Sequence, residues 1–186
     1  MHNVTPRARQ AGTSLIEVLV TVAILGYGLL GLNGLLVRAH LAEMESYQRA
    51  QALLLLKDMA NRIGANRSQA DTYVTSTPLG TGMDCPNAAV TTRQQFDSQE
   101  WCHALQGAAE AQGGTRVGAM LGGRGCVERL GSGEYRVTVA WQGLGALSAP
   151  PAGLGCASHL YDQGTICVDD RCRRTLTTVV RIAAMP

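Results

Sequence analysis

Polarity is what the first part of this chain has least of. From Leu15 to Val37 only Glu17 and Asn33 are strongly polar, with Thr21 a mild case, across 23 residues. About 20 such residues cross a bilayer as a helix. No proline stands between Pro6 and Pro78, so nothing there forces a helix to break. No C-x-x-C pair occurs, and without the close ligand pairs of zinc sites no metal is expected. Charge surplus is missing too: the net charge is +2, and residues 13–186 hold 14 basic against 14 acidic side chains. That balance excludes a strongly basic nucleic-acid binder. No Ala-x-Ala site follows the apolar run, which excludes an ordinary cleaved secretory signal.

What is present divides the 186 residues into an apolar appendage and, after Arg38, a polar, glycine-rich part long enough for one small domain. All six cysteines, Cys85, Cys102, Cys126, Cys156, Cys167 and Cys172, lie in that second part. An even count beyond a membrane segment points to disulfides in an oxidising compartment. Six cysteines allow 15 pairings. Proximity makes Cys167–Cys172 and Cys85–Cys102 the first candidates, and free buried thiols are the alternative.

The segment RQAGTSLIEVLVTVAIL, Arg9 to Leu25, raises a sharper question. A carboxylate inside a membrane segment costs about 3 kcal/mol or more, so Glu17 calls for a reason. Arg7 and Arg9 favour a cytoplasmic N-terminus, with Arg38 weakening the bias. An uncleaved signal anchor is one reading. The other starts from a short basic leader, Gly12, four residues and then Glu17 opening an apolar helix. That arrangement resembles a class III, or prepilin, signal.

The resemblance implies that a prepilin peptidase cuts between Gly12 and Thr13, glycine permitting close approach of the backbone. It also implies N-methylation of Thr13, which stands where the family usually has Phe or Met. In a filament core a lone carboxylate or ammonium is heavily penalised. Pairing Glu17 of one subunit with the Thr13 amine of a neighbour offsets both, and removing one partner of such a buried pair costs about 3–5 kcal/mol. Glu17 is then an assembly residue. In the unassembled chain it snorkels to the headgroups.

Helix-forming sequence continues past the apolar run to about Ile63, with Gly64 as a stop signal. A helix from Ser14 to Ile63 spans roughly 75 Å. Leu41, Met44, Tyr47, Ala50, Leu54 and Met59 form its expected apolar stripe, widened by Leu53, Leu55, Leu56, Ala60 and Ile63. Glu43, Glu45, Arg49, Lys57 and Asp58 are expected on the wet side. Gly26, Gly28, Gly31 and Gly34 permit close helix packing or local melting.

A second helix is expected from Arg93 to Ala111, capped by Thr91 or Thr92. CVERL and YRVTVAWQG, separated by GSG, read as a hairpin. In it Tyr135, Val137, Val139 and Trp141 face the core, and Arg136, Thr138, Ala140 and Gln142 a wetter side. A loop follows, and residues 172–185 supply the last strand. The fold class is α+β: a long N-terminal hydrophobic helix packed on a small antiparallel sheet.

This order resembles the lollipop of type IV pilins, and within them the minor pilins of the PilV, or pilus modification, type. The resemblance implies a leader (1–12), a transmembrane and filament-core half-helix (13–38), an amphipathic half-helix (39–64) and a periplasmic head (65–186). It implies a role in priming or tip-complex assembly, and so in adhesion or twitching motility. The implied partners are prepilin peptidase, other minor pilins, the major pilin and the inner membrane before assembly. No cofactor and no specific nucleic acid are expected. A minor pseudopilin of type II secretion is the near alternative; an anchored periplasmic enzyme or receptor is the distant one.

No enzyme motif stands up. GLGALS (143–148) has two glycines of a dinucleotide fingerprint but Ser148 in place of the third. His2, His40, His103 and His159 are scattered. Arg171, Arg173 and Arg174 are expected on a solvated strand edge that discourages pairing. Asp162, Asp169 and Asp170 lack a calcium-loop spacing.

Overall fold

The computed structural model describes residues 14–86, 90–107, 111–112, 115–116 and 120–183. The chain forms two compact units, Met1–Ala42 and Glu43–Pro186. Helix α1 runs Leu15–Ala65. A 3-10 turn, Arg67–Tyr73, leads to β1 (Leu79–Gly80), then α2 (Arg93–Leu105). Next come the short β2 (Ala111–Gln112) and β3 (Thr115–Arg116). The chain ends in β4 (Arg124–Gly131), β5 (Glu134–Gln142) and β6 (Arg173–Arg181).

In the first unit every described side chain, Ser14 to Ala42, is exposed. A Cβ added at Gly26, Gly28, Gly31 or Gly34 meets nothing within 4 Å. Nothing inside the unit accounts for those glycines or for the leucines around them.

The second unit closes around a core. Its sheet has the order β1-β4-β5-β6, antiparallel throughout. Tyr135, Val137, Val139 and Trp141 of β5 face Ala52, Leu56, Met59 and Ile63 of α1, with Trp101 and Leu105 of α2 in the same cluster. Trp101 is fully buried and donates its indole N–H to the Leu55 carbonyl at 3.0 Å. It lies so close to β4 that a Cβ on Gly125 would come within 2.2 Å of its ring, so only glycine fits there.

The buried stripe of α1 is Gln48, Ala52, Leu56, Met59 and Ile63, which corrects the expected one. Leu41, Met44, Tyr47, Ala50, Leu53 and Leu54 are exposed. The run Leu53–Leu56 passes round most of a helical turn, so hydropathy alone leaves the packed face undetermined. Gln48 belongs on that face because its Oε1 accepts the Leu121 N–H at 3.4 Å.

The expected wetter face of β5 is also corrected. Thr138 and Ala140 are fully buried. Cys156, Ala157 and Tyr161, from the segment between β5 and β6, cover them together with Cys126 of β4. The sheet is therefore lined on both sides.

Helix α2 stops at Leu105, six residues before the expected end. Gly107, at φ +79°, donates its N–H to the Ala104 carbonyl and turns the chain away. Ala109 lies outside the described residues. Thr92 is the N-cap, in a reciprocal box with Gln95. β6, Arg173–Arg181, is shorter than the expected 172–185, and residues 184–186 lie outside the description.

Candidate functional site

Glu17 sits in the first turn of α1, its N–H bonded to the Ser14 carbonyl at 3.0 Å, and it is exposed like the apolar residues around it. A carboxylate and a continuous apolar helical surface thus stand side by side, neither buried within its own unit. Gly12 and Thr13, with the rest of residues 1–12, lie outside the described residues. The glycine-bearing stretch from Gly26 to Gly34 is helical throughout.

The six cysteines form three bonds: Cys85–Cys102, Cys126–Cys156 and Cys167–Cys172. The first ties the chain after β1 to the buried face of α2. The second holds the covering segment on β4. The third closes the turn that leads into β6. With loops of 17, 30 and 5 residues, chain-entropy reasoning assigns them about 3, 4 and 2 kcal/mol of stabilisation. Proximity in sequence found the first and third pairs. Cys126–Cys156 needs the fold, because a covering loop must first bring their Cα atoms to 5.8 Å.

A buried polar clamp joins α1 to α2, and no sequence pattern announced it. Asp97, 1% exposed, accepts from Arg62 at 2.9 Å, Arg93 at 3.0 Å and the Tyr73 hydroxyl at 2.6 Å. Arg62 also reaches Asp58 and Glu100. Burial and the bond to Asp97 push the Tyr73 hydroxyl above its ordinary range. A charge this well enclosed stabilises only while all its partners remain, so the clamp is structural.

Three groups that could hold a cation come together in the covering segment: His159, Asp162 and Asp170, with ligand atoms within 4.8 Å of one another. Internal bonds already use them. Asp162 accepts the Asp170 N–H at 2.8 Å and lies 2.8 Å from His159 Nδ1. Asp170 accepts from the His159 N–H, Ser158 and Arg173. Burial pushes the Asp170 carboxyl up, but those three hydrogen bonds and the Arg173 charge outweigh it and hold it below the ordinary range. The Asp162 hydrogen bond and the Asp170 charge raise His159. This is the hydrogen bonding of a folded loop, with Arg173 supplying the positive charge.

The arginines expected on a strand edge are dispersed. Arg173 is 3% exposed, holding Asp170 and the carbonyls of Leu154 and Cys156. Arg174 turns onto Glu45 and the Gly145 carbonyl. Only Arg171 is exposed. Within the second unit the two histidines are apart in the chain: His103 lies on α2 and His159 in the covering segment.

Compared with known proteins, residues 34–102 match the family described as Tt1218-like, type IV pilin Tt1218. The matched segment covers the last four residues of the apolar stretch, 34–37, the rest of α1 and all but the end of α2. Glu17 precedes it. No curated protein and no solved structure matches the chain.

Proposed function

We propose that this chain, similar over residues 34–102 to a type IV pilin family, is a minor pilin of the PilV type, which primes or caps a pilus rather than building its shaft. Prepilin peptidase removes residues 1–12 by cutting after Gly12 and methylates the Thr13 amine. The chain waits in the inner membrane with its head in the periplasm, then enters the pilus among other minor pilins and the major pilin. Its contribution to adhesion or twitching motility is structural and not enzymatic.

One observation carries this reading: an exposed Glu17 in the first turn of a helix whose apolar side chains, Leu15 to Leu41, are all exposed. Such a surface calls for lipid before assembly and for neighbouring helices after it. In the water-poor filament core the carboxylate needs a positive partner, and the new amine four residues away in the mature sequence is the nearest source. The pair sets axial register, since a subunit out of step leaves two charges unmatched.

Intact-mass and N-terminal analysis of membrane-extracted protein, from cells with and without prepilin peptidase, tests the reading. The expected product begins at Thr13 and carries one extra methyl group, only where the peptidase is present. Residues 1–12 retained in cells with active peptidase would overturn the pilin processing and leave an anchored domain. A processed chain copurifying with secretion pseudopilins instead of pilus subunits would replace the minor-pilin assignment.

A further inference from the structure

Strand β6 is the outer strand of the four-stranded sheet, and no described strand pairs with its far side. The bonds from Gly143 N–H to the Cys172 carbonyl and from Ile182 N–H to the Gly133 carbonyl set the phase of its ladder with β5. Alternate residues of an antiparallel pair exchange both bonds. Arg174, Leu176, Thr178 and Val180 therefore turn their amides to β5, while Thr175, Thr177, Val179 and Arg181 turn theirs outward.

Proteins guard such edges with charges, proline, bulges or a covering loop. None of these protects the middle of β6. Its register runs from Arg173 to Arg181 without a shift. The stretch TLTTVV, Thr175 to Val180, contains no proline and no charge, and three of its residues point open backbone groups outward. The flanking arginines are turned away: Arg173 into the loop, Arg174 onto Glu45, Arg181 onto Glu134.

Beside the first half of β6 lies a groove of about 410 Å³, lined by Glu45 and Arg49 of α1, Trp141, Leu147, Arg174 and Leu176. Arg174 holds Glu45 at 3.5 Å. Arg49 is exposed and has no carboxylate partner among the described residues. The groove therefore offers an apolar floor and one uncompensated positive charge next to an open strand.

We propose that β6 is a docking edge for an extended strand of another protein. The strand adds to the amides of Thr175, Thr177, Val179 and Arg181, sets an apolar side chain on Leu147 and Leu176, and brings a carboxylate to Arg49. Main-chain bonds supply affinity in this mode, and a side-chain pocket supplies choice. A second copy of β6 is the poorer occupant: its sequence RRTLTTVVR has three arginines and no carboxylate. The inference rests on β6 and the groove and is independent of the pilin reading.

The test uses the full chain in detergent and two peptides as long as β6, each alternating threonine and valine, one with a central glutamate and one with lysine there. Amide hydrogen exchange is read residue by residue. The glutamate peptide is expected to slow the four outward amides by about tenfold or more, leaving the inward ones unchanged. Arg49→Glu, on an exposed helix position, is expected to shift preference to the lysine peptide by about tenfold in Kd. Thr177→Pro, which removes one outward N–H, is expected to abolish the protection; should it unfold the head, the Arg49 variant decides. Unchanged exchange under saturating peptide would overturn the docking edge. Protection that grows with protein concentration alone would overturn the choice of a foreign strand. An unaltered preference in the Arg49 variant would overturn the role of the groove.

Discussion

From Ser14 to Ala42 no described side chain is buried, whereas Ala52, Ile63, Trp101, Leu105, Val127, Val137 and Val139 of the second unit are wholly enclosed. The two regions contain similar apolar residues and use them oppositely. In the second, Leu56, Leu105 and Gly125 each answer to a neighbour that can be named. In the first, from Ser14 to Ala42, no leucine or glycine does so within its own unit. Burial within a chain and hydrophobicity of its sequence are therefore separate facts, and only their disagreement marks an interaction surface.

The largest expected contrast lies in single core truncations. Met59→Ala, at 1% exposure, should destabilise the head by about 2–5 kcal/mol. Leu30→Ala, at 69% exposure, should leave head unfolding unchanged and weaken membrane extraction resistance instead. Denaturant unfolding followed by tryptophan emission checks the pair; equal effects would break the contrast. Replacing Cys126 and Cys156 together by serine should cost the head about 4 kcal/mol. It should also open Thr138 and Ala140 to exchange, while leaving the ellipticity of the apolar helix intact.

Glycines sharpen the same comparison. Gly125→Ala must move the Trp101 ring and should destabilise by about 1–3 kcal/mol. Gly31→Ala meets nothing within the chain and should stabilise its helix by about 1 kcal/mol in micelles. A loss of filament incorporation in the second variant, with helicity raised, would locate the need for that glycine in subunit packing.

The smallest expected effect is a pH dependence confined to the covering segment. His159 binds its proton more tightly when folded. Its contribution is full below the unfolded imidazole value of about 6.5 and fades as pH rises through the folded value. Asp170 is held low, so its contribution is full above the ordinary carboxylate value of about 4 and fades as pH falls through the folded one. Exchange rates around Ser158 and Asp170 should be slowest between those limits, and His159→Gln should remove the alkaline limb alone.

How much could be read beforehand depended on how local the cause was. The apolar run, the Thr92 cap and the β4–β5 hairpin arise from neighbours within a few positions, and the α+β class follows from them. The end of α2 is not legible from spacing, because Gly107 competes with a helical pattern that continues past it. The guarding role expected of Arg173 and Arg174 failed because each found an internal acceptor. Asp97 shows no signal at all, since a carboxylate on a helix reads as solvated until Arg62, Arg93 and Tyr73 are brought round it.

The sequence by itself determined that this chain has one long apolar helix carrying Glu17, a cysteine-bearing α+β head, and strands whose alternation points one face inward. Those features rest on spacing and composition, which act along the chain. Only the tertiary structure decided that Gln48, Ala52, Leu56, Met59 and Ile63 form the packed face of α1, that Cys126 bonds Cys156, and that the second face of β5 is covered. Each depends on which distant segments share a volume. Packing excludes water from a surface only when the partner across it has been chosen.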